Sequence, residues 1–70
     1  MAEILADIVG NVLQVVGREG QAVNEGDTVV ILESMKMEIP VIAEEAGTLT
    51  RIAVSKGDVV QENDLIAVVE

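Results

Sequence analysis

Seventy residues make one small domain, and a formal net charge of −9, from thirteen acidic and four basic side chains, repels phosphate backbones and argues against nucleic-acid binding. The lack of cysteine removes disulfides, thiolate metal sites and thiol nucleophiles; the lack of histidine removes the commonest general base and zinc ligand. Half of the residues are hydrophobic and none is aromatic, and apolar runs such as Leu65 to Val69 are far too short to cross a bilayer. The N-terminus has no basic stretch followed by a long apolar core, so no secretory signal is read and the expected location is the cytoplasm. A core this small needs an efficient architecture, and a closed sheet without free edges, working as a monomer, is expected.

The apolar residues are mainly valine, isoleucine, leucine and alanine, and branched side chains fit the pleated surface of strands. In chain order, strands are expected near Glu3 to Val9, Asn11 to Val16, Ala22 to Val23 and Thr28 to Glu33, punctuated by Gly10, Gly17, Gly20 and Gly26. The series then repeats near Met37 to Ala43, Thr48 to Val54, Val59 to Val60 and Leu65 to Val69, punctuated by Gly47, Gly57 and Asn63. A shift of 37 residues lays one series on the other: Ala6 on Ala43, Gly10 on Gly47, Gly20 on Gly57, Val23 on Val60, Asp27 on Asp64 and Glu33 on Glu70. Agreement at glycine and apolar positions marks two structural copies, about 1–33 and 38–70, within a single domain 1–70. Asn63 stands where the first copy has Gly26, which fits a left-handed turn position. Pro40 donates no ladder hydrogen bond, so its strand belongs at an edge or carries a bulge. Two such halves imply a pseudo-two-fold flattened β-barrel or sandwich, with the junction between copies at one end and the termini at the other.

The junction is Ser34-Met35-Lys36-Met37. Lys56, the other lysine, lies in a polar turn beside Gly57 and reads as an ordinary solvated side chain. Lys36 differs because methionines flank it. If strand alternation holds through the turn, Met35 and Met37 lean one way and Lys36 the other, from a hairpin tip with an adaptable apolar collar. Two-residue hairpin turns need positive φ and favour glycine or asparagine, so Met35 and Lys36 as the central pair break local turn chemistry, as functional positions often do. From the residues alone two readings stay open: a functional lysine, or a plain exposed lysine between core methionines.

The stretch Glu33-Ser34-Met35-Lys36-Met37-Glu38 resembles the biotin-attachment motif of biotin carboxyl carrier domains, usually Glu-Ala-Met-Lys-Met, with Ser34 in place of alanine. The resemblance extends over nearly the whole chain, through Gly20, Val23 and Gly26-Asp27 upstream and Ala46-Gly47, Ile52, Val54, Gly57-Asp58, Val60 and Leu65 downstream. It implies an all-β flattened barrel of two four-stranded antiparallel sheets related by a quasi-dyad, with biotin joined to Lys36 on a hairpin. Neither half has room for the thumb insertion of some family members. The resemblance implies that a biotin protein ligase makes biotinyl-adenylate and that the Lys36 amine attacks it to form an amide. A free lysine, with a pKa of roughly 10.4, is about one part in a thousand unprotonated at neutral pH, so the ligase must desolvate or deprotonate it. Met35 and Met37 are expected to fit the ligase, and Glu33, Ser34 and Glu38 to bias its recognition. A biotin carboxylase then loads the carboxyl group, and a carboxyltransferase passes it to an acyl-coenzyme A or a keto acid, an acyl-coenzyme A being the expected class. The absence of an Ala/Pro-rich linker leads to the expectation of a free-standing carrier that meets its partners in trans.

Two rivals are a lipoyl carrier, which shares the fold but usually has aspartate before the lysine and a small residue after it, and an unmodified β-barrel interaction module. An enzyme in its own right is not expected: the carboxylates have no base partners and no phosphate-binding glycine loop is present. Asp27, Asp58 and Asp64 read as turn formers, and no metal site is expected.

Overall fold

A computed structural model describes residues 1–70. The chain forms eight strands: β1 (Ala2–Leu5), β2 (Gly10–Val15), β3 (Ala22–Val23), β4 (Thr28–Ser34), β5 (Met37–Ile42), β6 (Gly47–Ile52), β7 (Val59–Val60) and β8 (Leu65–Val69). They make two four-stranded antiparallel sheets, ordered β1-β8-β6-β3 and β5-β4-β2-β7. Moving every strand of the first copy to its image in the second turns one sheet order into the other, so the sequence repeat is a spatial quasi-dyad. Even the irregularities repeat. The β2–β4 register slips between Val12 and Gln14 and the β6–β8 register between Leu49 and Arg51, placing the extra residues, Leu13 and Thr50, at equivalent positions.

The turns show the repeat at atomic level. In four of them an N–H three residues back is accepted by a side chain: Arg18 by Gln21 at 3.0 Å, and Asn24, Ser55 and Gln61 by the Oδ2 atoms of Asp27, Asp58 and Asp64 at 2.8 Å. The third residue of each turn has positive φ: Gly20 at 91°, Gly26 at 92°, Gly57 at 93° and Asn63 at 74°. The three aspartates are thus turn formers, and asparagine fills the one left-handed position without glycine.

Residues from both sheets supply the core, including Val12, Val29, Leu32, Leu49, Ile66 and Val69. Pro40 lies on β5, an edge strand, where its missing donor costs no ladder bond to an inner neighbour. The sheets do not close on themselves, contrary to the expectation of a barrel without free edges. β1, β3, β5 and β7 are edges, blunted by two-residue strands at β3 and β7 and by proline in β5. Several strands also end earlier than the apolar pattern suggests. β1 stops at Leu5 because the Ala6 N–H turns to the Asp64 carbonyl at 2.9 Å; β5 stops at Ile42 because the Ala43 N–H turns to Asp27 at 2.8 Å. Both alanines are fully buried, so apolar character continues past the strand end while the chain crosses towards the other sheet. Past the ends of β2 and β6, Val16 and Ala53 still donate to the Val29 and Ile66 carbonyls of the partner strands β4 and β8.

Gly10 and Gly47 open β2 and β6, and a Cβ on either would lie 2.7 Å from the Glu33 carbonyl oxygen or 2.6 Å from that of Glu70. Backbone cannot yield as a flexible side chain can. Gly10→Ala and Gly47→Ala should each cost about 1–3 kcal/mol, read as a fall in the far-ultraviolet circular dichroism melting temperature. Asn63→Gly should change stability by less than about 0.5 kcal/mol, whereas Asn63→Val should lose about 1–2 kcal/mol.

Candidate functional site

The β4–β5 hairpin gathers every residue singled out by the motif. Its ladder pairs Leu32 with Ile39, Glu33 with Glu38 and Ser34 with Met37, leaving Met35 and Lys36 as a two-residue turn. Both have positive φ, 52° and 64°, the mirror-image turn whose twist matches paired strands. Side chains other than glycine pay about 1–2 kcal/mol each for that region. The ladder on β4 holds them there, because Val29, Val30 and Leu32 of β4 are fully buried.

Lys36 is exposed at the apex. Met35 is 83% and Met37 53% exposed, so neither is a core residue, and the reading of Lys36 as a lysine between core methionines falls. Glu33 and Glu38 are exposed and directly opposed across the ladder, and Ser34 is half-buried. Opposed carboxylates destabilise a hairpin. They place negative charge on both strands just below the lysine. The side-chain hydrogen bonds of the chain all lie elsewhere, so Lys36 is bound to no neighbour through its amine. An exposed primary amine on a fixed turn, with two mobile thioethers beside it, suits acylation by an external enzyme. Nothing in the hairpin can activate the amine: no histidine exists in the chain, and no carboxylate or hydroxyl is hydrogen-bonded to it.

Gly10 belongs to this site and was not recognised in the sequence as more than punctuation. Its α-carbon packs under the hairpin, with the Glu33 carbonyl and the Ser34 β-carbon within contact of any side chain placed there. Its image Gly47 makes the same approach to Glu70. The shared glycine in the repeat was the available signal, but only the fold shows that it supports the turn. Lys56 lies on the loop between β6 and β7, beside the Ser55–Asp58 turn, outside the site.

Residues 2–69 match the protein family described as biotin-requiring enzyme, with biotin and lipoyl in its name. The chain is 56% identical over 70 residues to the biotinylated protein TB7.3 homolog of Mycobacterium leprae, covering 99% of each. It superposes with a TM-score of 0.94 and 33% identity on part of the urea carboxylase of Kluyveromyces lactis, covering 99% of this chain and 6% of that one. It superposes with a TM-score of 0.82 and 25% identity on the lipoyl domain of the 2-oxoglutarate dehydrogenase complex of Azotobacter vinelandii, covering 100% and 96%. The backbone is therefore shared with a lipoyl domain as well as with part of a urea carboxylase, so the fold alone does not distinguish the two cofactors.

If the turn stores strain, relieving it must stabilise the domain. The double substitution Met35→Asn, Lys36→Gly installs residues suited to positive φ and should raise stability by about 1–2 kcal/mol. That corresponds to roughly 4–8 °C per kcal/mol in melting temperature for a domain of this size. An unchanged or lowered melting temperature would show that the turn is unstrained.

Proposed function

The chain belongs to the biotin-requiring enzyme family of biotin/lipoyl attachment domains, and from that membership and the hairpin geometry we propose that it is a biotin carrier modified at Lys36. The observation that carries the proposal is the exposed Lys36 amine at the apex of a rigid two-residue turn, between two exposed methionines. A biotin protein ligase supplies the acyl group as biotinyl-adenylate; the amine attacks the acyl carbon, the amide forms and AMP leaves. Met35 and Met37 offer the ligase an adaptable apolar contact. Glu33 and Glu38 present negative charge on either side of the lysine and steer ligases of complementary charge. Ser34 closes the turn opposite Met37, where a small side chain fits above Gly10.

When bound, biotin supplies a ureido nitrogen that carries a carboxyl group from an ATP-dependent carboxylase site to a carboxyltransferase site. The protein's own contribution is presentation. The turn fixes the lysine Cα, the four-carbon stem swings, and tethering raises the effective concentration of the cofactor at both partner sites. The partners are a biotin carboxylase and a carboxyltransferase that uses an acyl-coenzyme A, met by a monomeric carrier in the cytoplasm. Catalysis resides in those partners. Methionine on both sides of Lys36 favours biotin over lipoate, the alternative cofactor for the same backbone.

Co-expression with a biotin protein ligase followed by intact-mass measurement tests the assignment. One biotinyl increment is expected, retained in Lys56→Ala and absent in Lys36→Ala; a lipoyl increment, or none under saturating ligase, rejects it. Gly10→Ala should also slow ligation at least about tenfold, because displacing a reacting group by an ångström costs that much or more. Its image Gly47→Ala, with a similar stability cost, should ligate at close to the normal rate. Equal rates in the two variants would remove Gly10 from the site.

A further inference from the structure

β1 and β5 each pair on one side only, β1 with β8 and β5 with β4. Between their open edges lies a groove of about 570 Å³. Its lining obeys the quasi-dyad: Ile4 has its image in Val41, Leu5 in Ile42 and Asp7 in Glu44. Leu32 and Val69, themselves images of each other, also line it and are buried. The pseudo-two-fold axis therefore passes through this groove. Leu5 and Ile42 are 39% and 42% exposed, an apolar surface that water covers at a cost. Around them stand Glu3, Asp7, Glu44 and Glu45, all exposed, and none of the chain's four basic residues lines the groove.

The geometry points to a docking groove for an extended polypeptide segment of a partner protein, in which apolar residues alternate with lysine or arginine. Three observations select that occupant. An open sheet edge is completed by a further strand, and successive side chains of a strand point to opposite sides, so alternation presents apolar groups to the floor and charged groups to the rim. The rim is acidic without exception, so the charged groups must be basic. A second copy of this chain brings its own net charge of −9 and would set carboxylate against carboxylate. The added strand bonds to β1. Pro40, in the middle of β5, has no N–H to give, so a ladder on β5 would lack its central donor and β1 is the better edge. β1 has four residues, which at about 3.3 Å per residue accommodates a segment of roughly four to six residues.

The groove lies on the same strand as the hairpin. β5 begins at Met37, next to Lys36, and enters the groove at Ile39. A partner seated there holds the carrier by its body and leaves the Lys36 side chain free to move, whether or not that lysine is modified.

The test uses the intact chain, labelled with nitrogen-15, and an N-acetylated, C-amidated hexapeptide of alternating valine and lysine. Saturable binding is expected, with amide shifts confined to β1, β5 and the adjoining Asp7–Ile8 and Glu44–Glu45 segments. A peptide of three valines followed by three lysines carries the same charge without alternation and should bind at least about tenfold more weakly. Glu44→Lys with Glu45→Lys should weaken the alternating peptide at least about tenfold, as expected when two favourable charge contacts become repulsive. Both positions are exposed, and a preserved amide spectrum verifies the fold. Equal affinity for both peptides, shifts spread to Glu33, Glu38 and Glu62, or no binding overturns the proposal. So does concentration-dependent dimerisation that perturbs the same β1 and β5 amides, which would identify the occupant as a second copy.

Discussion

Two residues must reverse the chain between β4 and β5, and with the ladder closed at Ser34 and Met37 both Met35 and Lys36 take positive φ, the turn whose twist matches the strands. A longer loop would relieve the strain but leave the lysine on a flexible tether. The short turn fixes the Cα of Lys36 relative to the sheet, and the strain of about 1–2 kcal/mol per residue is offset by packing below it. β4 anchors one arm of the hairpin in the core through Val29, Val30 and Leu32. Gly10 lets β2 approach the other end of that strand closely enough to touch the Glu33 carbonyl. The backbone of the turn is thus held by its ladder, and the Lys36 side chain stands exposed above it.

That architecture is obtained without a disulfide or an aromatic residue, which is unusual economy for seventy residues. The quasi-dyad explains how. One solution to the local problem is used in duplicate: the same bulge, the same left-handed turn position, the same aspartate acceptor three residues on. Three of these acceptors are aspartates, so part of the chain's acidic excess is structural. Glu19 and Glu70 also accept hydrogen bonds, from the Ile52 N–H and the Thr50 hydroxyl, while Glu33, Glu38, Glu44 and Glu45 stand on the surfaces proposed for partners.

Much of this was legible because it depends on local chemistry. The 37-residue repeat, the edge position of Pro40 and the left-handed role of Asn63 follow from glycine, proline and asparagine at defined offsets, and each has its counterpart in the fold. The six motif residues were legible because they are contiguous, so any hairpin at the junction brings them together. Strand ends were not. Ala6 and Ala43 are as apolar and as buried as strand residues, and only a hydrogen bond to a distant turn carbonyl shows that the chain has left the sheet. The open edges escaped notice for a related reason: composition shows the need to protect edges but not whether closure, shortness or proline does it. Gly10 shows the same limit, since its part in the site depends on a contact with Glu33 across 23 positions of chain.

The backbone shared with a lipoyl domain bears on where specificity resides. If the same strands and the same turn serve two cofactors, the fold provides presentation and cannot by itself choose what is presented. Choice must lie in groups that differ at constant backbone, and under the proposed function those are the methionines beside Lys36 and the carboxylates below it. Their exposure is consistent with this. A side chain kept for stability is buried, whereas Met35 at 83% exposure contributes little packing and occupies a conformation that asparagine or glycine would adopt more readily. An exposed apolar residue in an unfavourable conformation has two costs that its own side-chain packing does not repay; the ladder below holds it in place. Under the proposed function that side chain is kept for contact with the ligase, outside the molecule.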